Sequence, residues 1–255
     1  MNHLARTAFI IFLISISTGY TQNKLNFDQF GDETIEFIRQ PIKWNASDYG
    51  KLGLVALSTY LVMYLDEDIR SEMLMDRSYY YSLPIEGARI WGEPYTTLLF
   101  SGALAISGIA NDNFTNKKIA FEIAQSAVYT VSVTQFLKLA VGRERPYLNS
   151  GATNFSPFQK VDNDYWSLPS GHTSLAFSLS TILSKNSKPD LLKAVWFIPA
   201  IMTAFSRVYQ DKHWTSDVLL GAAVGYFIAE WVHKQHDAKE TNMESNQLIM
   251  FSIAF

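Results

Sequence analysis

The stretch Leu168-Pro169-Ser170-Gly171-His172-Thr173-Ser174-Leu175-Ala176-Phe177 joins a cluster of turn formers to the start of an apolar run. Pro169 pre-sets a bend, Ser170 is a helix-capping residue type, and Gly171 lets backbone approach a ligand closely. A helix that starts here aims unpaired N–H groups and a positive dipole end at any anion above it. His172 falls in that first turn. Such a place suits a phosphate, provided the rest of the chain brings cations and a nucleophile to it.

On both sides of this turn the pattern is helical. Apolar segments run from Tyr95 to Ala110, Ile119 to Val141, Thr173 to Leu183, Leu191 to Phe205 and Val218 to Val232. Each is followed by a break containing Gly, Asn, Asp or Pro. There is no alternating strand pattern, internal repeat or low-complexity tract. The expected fold is an all-α helical bundle with about five to six membrane-embedded or membrane-associated helices, counted from those runs. Glu122, Gln125, Gln135 and Lys193 interrupt the apolar segments and keep a soluble bundle as an alternative.

Composition supports membrane contact. Of the 255 residues, 48% are apolar and 18% charged, against roughly 25% charged in a typical soluble domain. A mean hydropathy near zero pulls the other way. The net charge of −3 excludes nucleic acid as a natural partner, because backbone binding needs a basic surface. No cysteine is present, which removes disulfides, thiolate metal sites and a cysteine nucleophile.

The N-terminal part divides less clearly. Residues 1–20 place Arg6 before the apolar run Ala8 to Ile16 and then Ser17 and Gly19, the layout of a cleavable export signal. An uncleaved membrane helix is the alternative, although the run is shorter than the ~20 residues a span needs. Residues 21–94 form an extension in which 21–50 reads as loop or surface helix and Leu52 to Leu65 as one apolar helix. Asp66-Glu67-Asp68 reads as a solvated helix end, since it lacks the spaced ligands of a calcium loop. Residues 69–94 read as a mixed connection, its aromatics suited to a membrane interface or a core edge. Residues 95–235 form the main domain and 236–255 a tail or short strand.

Lys117-Lys118, Lys185, Lys188, Lys193, Lys234 and Lys239 follow alternate apolar segments. The positive-inside rule then puts the 142–172 and 206–217 loops outside. With a cleaved export signal that topology requires an odd number of spans, so the 52–65 segment is expected to lie on the membrane rather than cross it.

Three polar stretches fall at helix ends on that outer side. Lys138 and Arg145 are seven apart, on one face for as long as the helix persists, with Gly142 and Pro146 marking its end. Alone, this is also what a basic helix terminus looks like. The Ser170-Gly171-His172 turn, taken alone, is equally a plain cap. His213 and Asp217 are four apart and stack if helical, either as a surface ion pair or as a carboxylate that orients an attacking imidazole. Arg207 adds a planar fork suited to phosphate oxygens.

Lys138-x6-Arg145-Pro146, Pro169-Ser170-Gly171-His172 and Ser206-Arg207-x5-His213-x3-Asp217, in that order, resemble the three-part signature of the type 2 phosphatidic acid phosphatase and vanadium haloperoxidase superfamily. The match spans 138–217 and extends loosely to about 232, without residues 1–94. The resemblance implies that His213 is the nucleophile, forming a phosphohistidine, with Asp217 orienting it. His172 then protonates the leaving alkoxide and helps activate water. Lys138, Arg145, Arg207, Ser170 and the Gly171 N–H hold the phosphoryl oxygens. No metal or other cofactor is implied. Arg143 is a weaker candidate for electrostatics at the rim, and His233 and His236 read as a solvated helix end.

These expectations converge on a metal-independent phosphatase. Its substrate is a phosphomonoester or pyrophosphate of a membrane lipid, and its site faces the periplasm from a bacterial inner membrane. A soluble periplasmic acid phosphatase, a vanadate-dependent haloperoxidase and a non-catalytic lipid-binding protein are the alternatives.

Overall fold

A computed structural model describes residues 25–158 and 162–253, with side chains through Asp237. The helices are α1 (Phe27–Lys43), α2 (Ala46–Met63), α3 (Asp66–Met75), α4 (Leu83–Trp91) and α5 (Pro94–Ala110). They continue as α6 (Phe114–Val141), α7 (Gly171–Lys185), α8 (Asp190–Val195), α9 (Phe197–Tyr209) and α10 (Thr215–Ile253). Among the described residues there is no strand, only an isolated bridge between Arg143 and Phe155. The fold is an all-α bundle.

Local sequence explains the element ends. Asn26 caps α1 by accepting from the Gln29 N–H, Asn45 and Asp48 form a reciprocal capping box at α2, and Asn113 caps α6. Gly142 ends α6 in the left-handed region at φ 60°, with the Ser156 carbonyl 2.1 Å from where a Cβ would stand. Only glycine fits there.

The bundle is built around α7, which α6, α9 and α10 enclose. Its polar side chains Thr173, Ser174, Ser178 and Thr181 are as buried as Leu179 and Ile182. Close approach of α10 depends on Gly221 and Gly225. A Cβ on either would fall 2.7 Å from the Ser170 carbonyl oxygen and 2.0 Å from that of Ser174, respectively. Ile119, Ile123, Leu179, Ile182, Leu183 and Ala229 form one apolar core, edged by Trp91, Phe100, Leu104 and Trp196. Trp91 is thus a core-edge residue, whereas Tyr79 and Tyr81 stand exposed.

The N-terminal extension is more ordered than its sequence suggests. Residues 27–63 form two capped helices, and the stretch read as a mixed connection contains most of α3 and all of α4. Helix α2 does not lie across the bundle. It packs along α10, begins with Asp48 close enough to Lys234 to feel its charge, and leads into Asp66, which pairs with Arg143. Its 18 residues, about 27 Å of helix, run the height of the bundle. The apolar face that suggested an interfacial helix is its outward side, where Leu54, Leu57 and Leu61 are exposed.

The other end of the bundle also departs from expectation. Helix α10 continues through residues 236–253, where a tail or strand was expected. His236 is buried, with Nε2 2.9 Å from Gln125 Oε1 and 3.3 Å from Glu33 Oε2. His233 Nδ1 lies 3.3 Å from Glu122 Oε2. This is not a solvated helix end, because α1 folds back and covers it. The proposed export signal, residues 1–20, lies outside the described residues.

Large apolar side chains cover much of the exterior, including Leu99 and Ile106 on α5, Phe136 on α6, and Ile198, Ile201 and Phe205 on α9. Among the described residues one continuous helical stretch, Asp190–Tyr209, is by length and composition apolar enough to cross a bilayer. Only 28% of it is buried inside the protein.

Candidate active site

The three polar stretches meet at one end of the bundle. Lys138 comes from the last turn of α6, Arg145 from the loop after it, and Ser170, Gly171 and His172 from the start of α7. Arg207 comes from the last turn of α9, His213 from the turn before α10, and Asp217 from the first turn of α10. Helix α6 ends at Val141, so Arg145 reaches the site on extended backbone (φ −78°, ψ 150°) rather than along a helical face.

His213 and Asp217 are likewise not a stacked helical pair, since α10 begins only at Thr215. Nor are they on the surface: their relative exposures are 3% and 0%. His213 Nδ1 lies 3.5 Å from Asp217 Oδ2, an ion-pair distance that is long for a hydrogen bond. Oδ2 also accepts from the Ser167 hydroxyl and, at 2.9 Å, from the Trp214 N–H. The Ser170 N–H donates to the Asp217 carbonyl at 3.0 Å, which ties the start of α7 to the start of α10. Ser170 occupies the N-cap position, but its hydroxyl accepts from Thr173 Oγ1 (3.0 Å) instead of capping.

Two cations, Arg145 and Lys138, lie near the imidazole. His213 Nε2 is 3.4 Å from Arg145 Nη1, and the Arg207 carbonyl accepts the His213 N–H at 3.3 Å. Lys138 Nζ donates to the Trp166 carbonyl, and its Cε lies 3.9 Å from where a Cβ on Gly171 would stand. His172 is close enough to Arg207 to feel its charge. Burial, with Arg145 and Lys138 nearby, holds the His213 imidazole well below the ordinary histidine range, against the opposing pull of Asp217. The ring is therefore neutral at neutral pH. Among the described residues no group of three or more His, Asp or Glu side chains is arranged to hold a metal ion.

Comparison with known proteins identifies the segment that holds the site. A model of the PAP2 superfamily matches residues 119–240, just under half of the chain and the portion holding all three stretches. This segment belongs to the PAP2 superfamily. Over 85 residues the chain is 35% identical to the lipid A 1-phosphatase of Porphyromonas gingivalis, covering 32% of this chain and 19% of that one. Over 113 residues it is 26% identical to the undecaprenyl-diphosphatase of Sulfolobus acidocaldarius, 44% of this chain and 53% of that one. The chain therefore spans at most about half the length of these curated relatives. A solved structure, the first transmembrane PAP2 type phosphatidylglycerolphosphate phosphatase from Bacillus subtilis, aligns with TM-score 0.51 and 17% identity. That alignment covers 72% of this chain and 94% of that chain, and it shows a shared fold. Aquifex aeolicus LpxE aligns with TM-score 0.48 and 23% identity, over 67% and 95% of the two chains.

Several residues that support the PAP2 site were not legible beforehand. Arg143 is no rim residue: it is 0% exposed and all its donors are used. Nε and Nη2 donate to the Ala152 carbonyl (2.9 and 2.6 Å), and Nη1 to Ser216 Oγ and Asp217 Oδ1 (both 2.7 Å). Nη2 also donates to Asp66 Oδ2 at 2.8 Å. Asp66, 1% exposed, further accepts from the Ser216 N–H and hydroxyl. The acidic triplet is thus a solvated helix end only at the exposed Glu67 and Asp68, not at Asp66. Its first member is buried beneath the site, its second, Glu67, accepts from the Ala152 N–H, and Arg70 forks onto Asp211 at 2.7 and 2.9 Å.

Helix α4 supports the opposite wall. Glu86 accepts from Gln210 Nε2 (2.5 Å), and Gln210 Oε1 accepts from Arg207. Glu93 lies 3.2 Å from His172 Nε2 and also pairs with Arg89. The available signal was a carboxylate near an aromatic-rich loop, which names no partner.

Proposed function

We propose that this protein is a metal-independent phosphatase of the PAP2 type that removes phosphate from a membrane lipid through a phosphohistidine. One observation carries the reading. Lys138 and Arg145 lie beside a neutral, buried His213 and Arg207 lies beside His172, and among the described residues none of the three cations forms an ion pair with a carboxylate. Arg70 and Arg143, by contrast, are each matched to one or more. Unmatched buried charge is costly, and a tetrahedral oxyanion supplies the missing counter-charge.

With its Nδ1 proton toward Asp217, His213 presents the Nε2 lone pair to phosphorus. The P–N bond forms as the bond to the leaving oxygen breaks, and His172 gives that oxygen a proton. Water then attacks the phosphohistidine, His172 takes its proton, and cleavage of the P–N bond frees phosphate. Lys138, Arg145, Arg207, Ser170 and the Gly171 N–H stabilise the charge that develops on the phosphoryl oxygens. The long His213–Asp217 contact is of the kind that tightens when substrate binds.

The lipid part of the reading rests on the apolar exterior of α2, α5 and α9 and on the two curated relatives, whose names specify lipid A 1-phosphate and undecaprenyl diphosphate. The protein sits in a bacterial inner membrane with its site toward the periplasm. Lys117, Lys118 and Lys185 lie at helix ends away from the site and Lys234 lies midway along α10, where positive charge favours the cytoplasm. Helices α2, α5, α6, α7, the α8–α9 pair and α10 alternate in direction, so α1 lies at the lysine-rich end. A cleaved export signal would place α1 outside and turn the site inward; the two expectations are incompatible, and the lysines favour the outward site.

Purified protein is to be assayed for phosphate release from phosphatidic acid, phosphatidylglycerophosphate, undecaprenyl pyrophosphate, lipid A and p-nitrophenyl phosphate, with vanadate as inhibitor. His213→Ala is expected to lose at least about a thousandfold in kcat, as removal of a covalent nucleophile does. A His213→Ala protein that retains activity refutes the mechanism.

A further inference from the structure

The PAP2 signature supplies His172 but nothing to aim it. The group that does so comes from outside the matched segment, at the corner between α4 and α5. Gly92 brings that corner against the start of α7: a Cβ there would lie 2.4 Å from the His172 carbonyl oxygen and 2.8 Å from Thr203 Cγ2. The next residue, Glu93, is thereby set beside the His172 ring, with Oε1 3.2 Å from Nε2. Arg89, one helical turn back, pairs with both Glu86 and Glu93 and fixes the carboxylate in place.

We propose that Glu93 is the positioning residue for His172, accepting from ring Nε2 so that Nδ1 is the nitrogen that hands a proton to the leaving oxygen. This rests on His172 acting as the general acid. The charged groups around the ring are Glu93 from the corner, Arg89 from α4 and Arg207 from α9. Of these only Glu93 favours the imidazolium, the form that can donate; both arginines oppose it. The hydrogen bond from His172, followed by the charges of His172 and Arg89, holds the Glu93 carboxyl below its ordinary range, so it is ionised at neutral pH.

Proton donation matters most when the leaving group is a poor one. An alkoxide from phosphatidic acid needs the proton, whereas p-nitrophenolate leaves largely without it. Glu93→Gln keeps the shape of the side chain and removes its charge. The full chain, purified in detergent, is assayed on both substrates. The ratio of kcat on phosphatidic acid to kcat on p-nitrophenyl phosphate is expected to fall about tenfold, part of the 10²–10⁴ that general acids supply. The basic limb of the phosphatidic acid profile should move to lower pH, and Glu93→Asp should restore part of the ratio. His172→Ala should lower the same ratio further, and adding Glu93→Gln to it should then change the ratio little.

A Glu93→Gln protein that loses both activities in equal proportion, or neither, overturns the assignment while leaving the His172 reading intact. A His172→Ala protein with an unchanged ratio overturns the general-acid reading itself, and the inference with it.

Discussion

Asp66→Ala tests whether the N-terminal extension is part of the catalytic framework. The substitution removes a carboxylate that is 1% exposed and accepts from Arg143 Nη2 (2.8 Å), the Ser216 N–H (2.9 Å) and the Ser216 hydroxyl. It leaves a guanidinium of 0% exposure short of one of its two carboxylates and strands two buried donors of Ser216. Removing one partner of a buried ion pair costs about 3–5 kcal/mol, and the stranded donors belong within that figure. For a chain of this size each kcal/mol moves Tm by roughly 2–4 °C, so the melting point should drop by about 10 °C. Intrinsic tryptophan fluorescence in detergent at a fixed scan rate reads this directly, because Trp214 packs between Arg70 and Arg143. Activity should fall as well, since Arg143 also holds Asp217. The companion variant is Asp66→Ala with Arg143→Met. Removing both partners of the Asp66–Arg143 contact should cost less than the sum of the single losses, the sign of direct coupling. A Tm within about 2 °C of the parent for Asp66→Ala, below the shift expected for even 1 kcal/mol, or strict additivity in the double variant, would refute the reasoning.

Two further predictions follow from geometry and charge. Gly225→Ala places a methyl 2.0 Å from the Ser174 carbonyl oxygen, so α10 must move off α7; a loss of about 1–3 kcal/mol is expected by thermal melting. An unchanged Tm there would show that the two helices are not in close contact. His213 is held well below its ordinary pKa by burial, so activity that depends on its neutral form should persist on the acid side past the usual value of about 6.5. The linked stability has the same sign. It is fully present above the unfolded histidine's pKa and is lost as pH falls toward the folded value, because the unfolded chain takes up the proton first. An acid limb of kcat/KM centred at or above the ordinary histidine pKa would contradict this.

Much of the site was legible because its chemistry requires particular residue types. Lys138, Arg145, Ser170, His172, Arg207, His213 and Asp217 stand in three short stretches, and the fold brings all three to one end of the bundle. The helices from α5 onward were legible for a similar reason: apolar runs separated by Gly, Asn and Pro leave the backbone few other choices. Asp66, Glu93 and Arg143 are different. An acidic residue at a helix start looks the same in sequence whether it is solvated or buried against a guanidinium. The partner that decides lies 77 residues away for Asp66 and 79 for Glu93. For α2, composition alone did not distinguish lying on a membrane from running along the bundle beside α10. Only the contacts at its two ends do so, Asp48 near Lys234 and Asp66 on Arg143.

By itself, then, the linear order of residues determined the helical architecture and named the candidate site residues, because periodicity and functional-group chemistry are local properties. Tertiary structure decided which charges are matched and which are left for a ligand. It also placed the N-terminal helices under and beside the candidate histidines His172 and His213. Burial and charge pairing depend on distances between segments remote in the chain, and those exist only once the chain has folded.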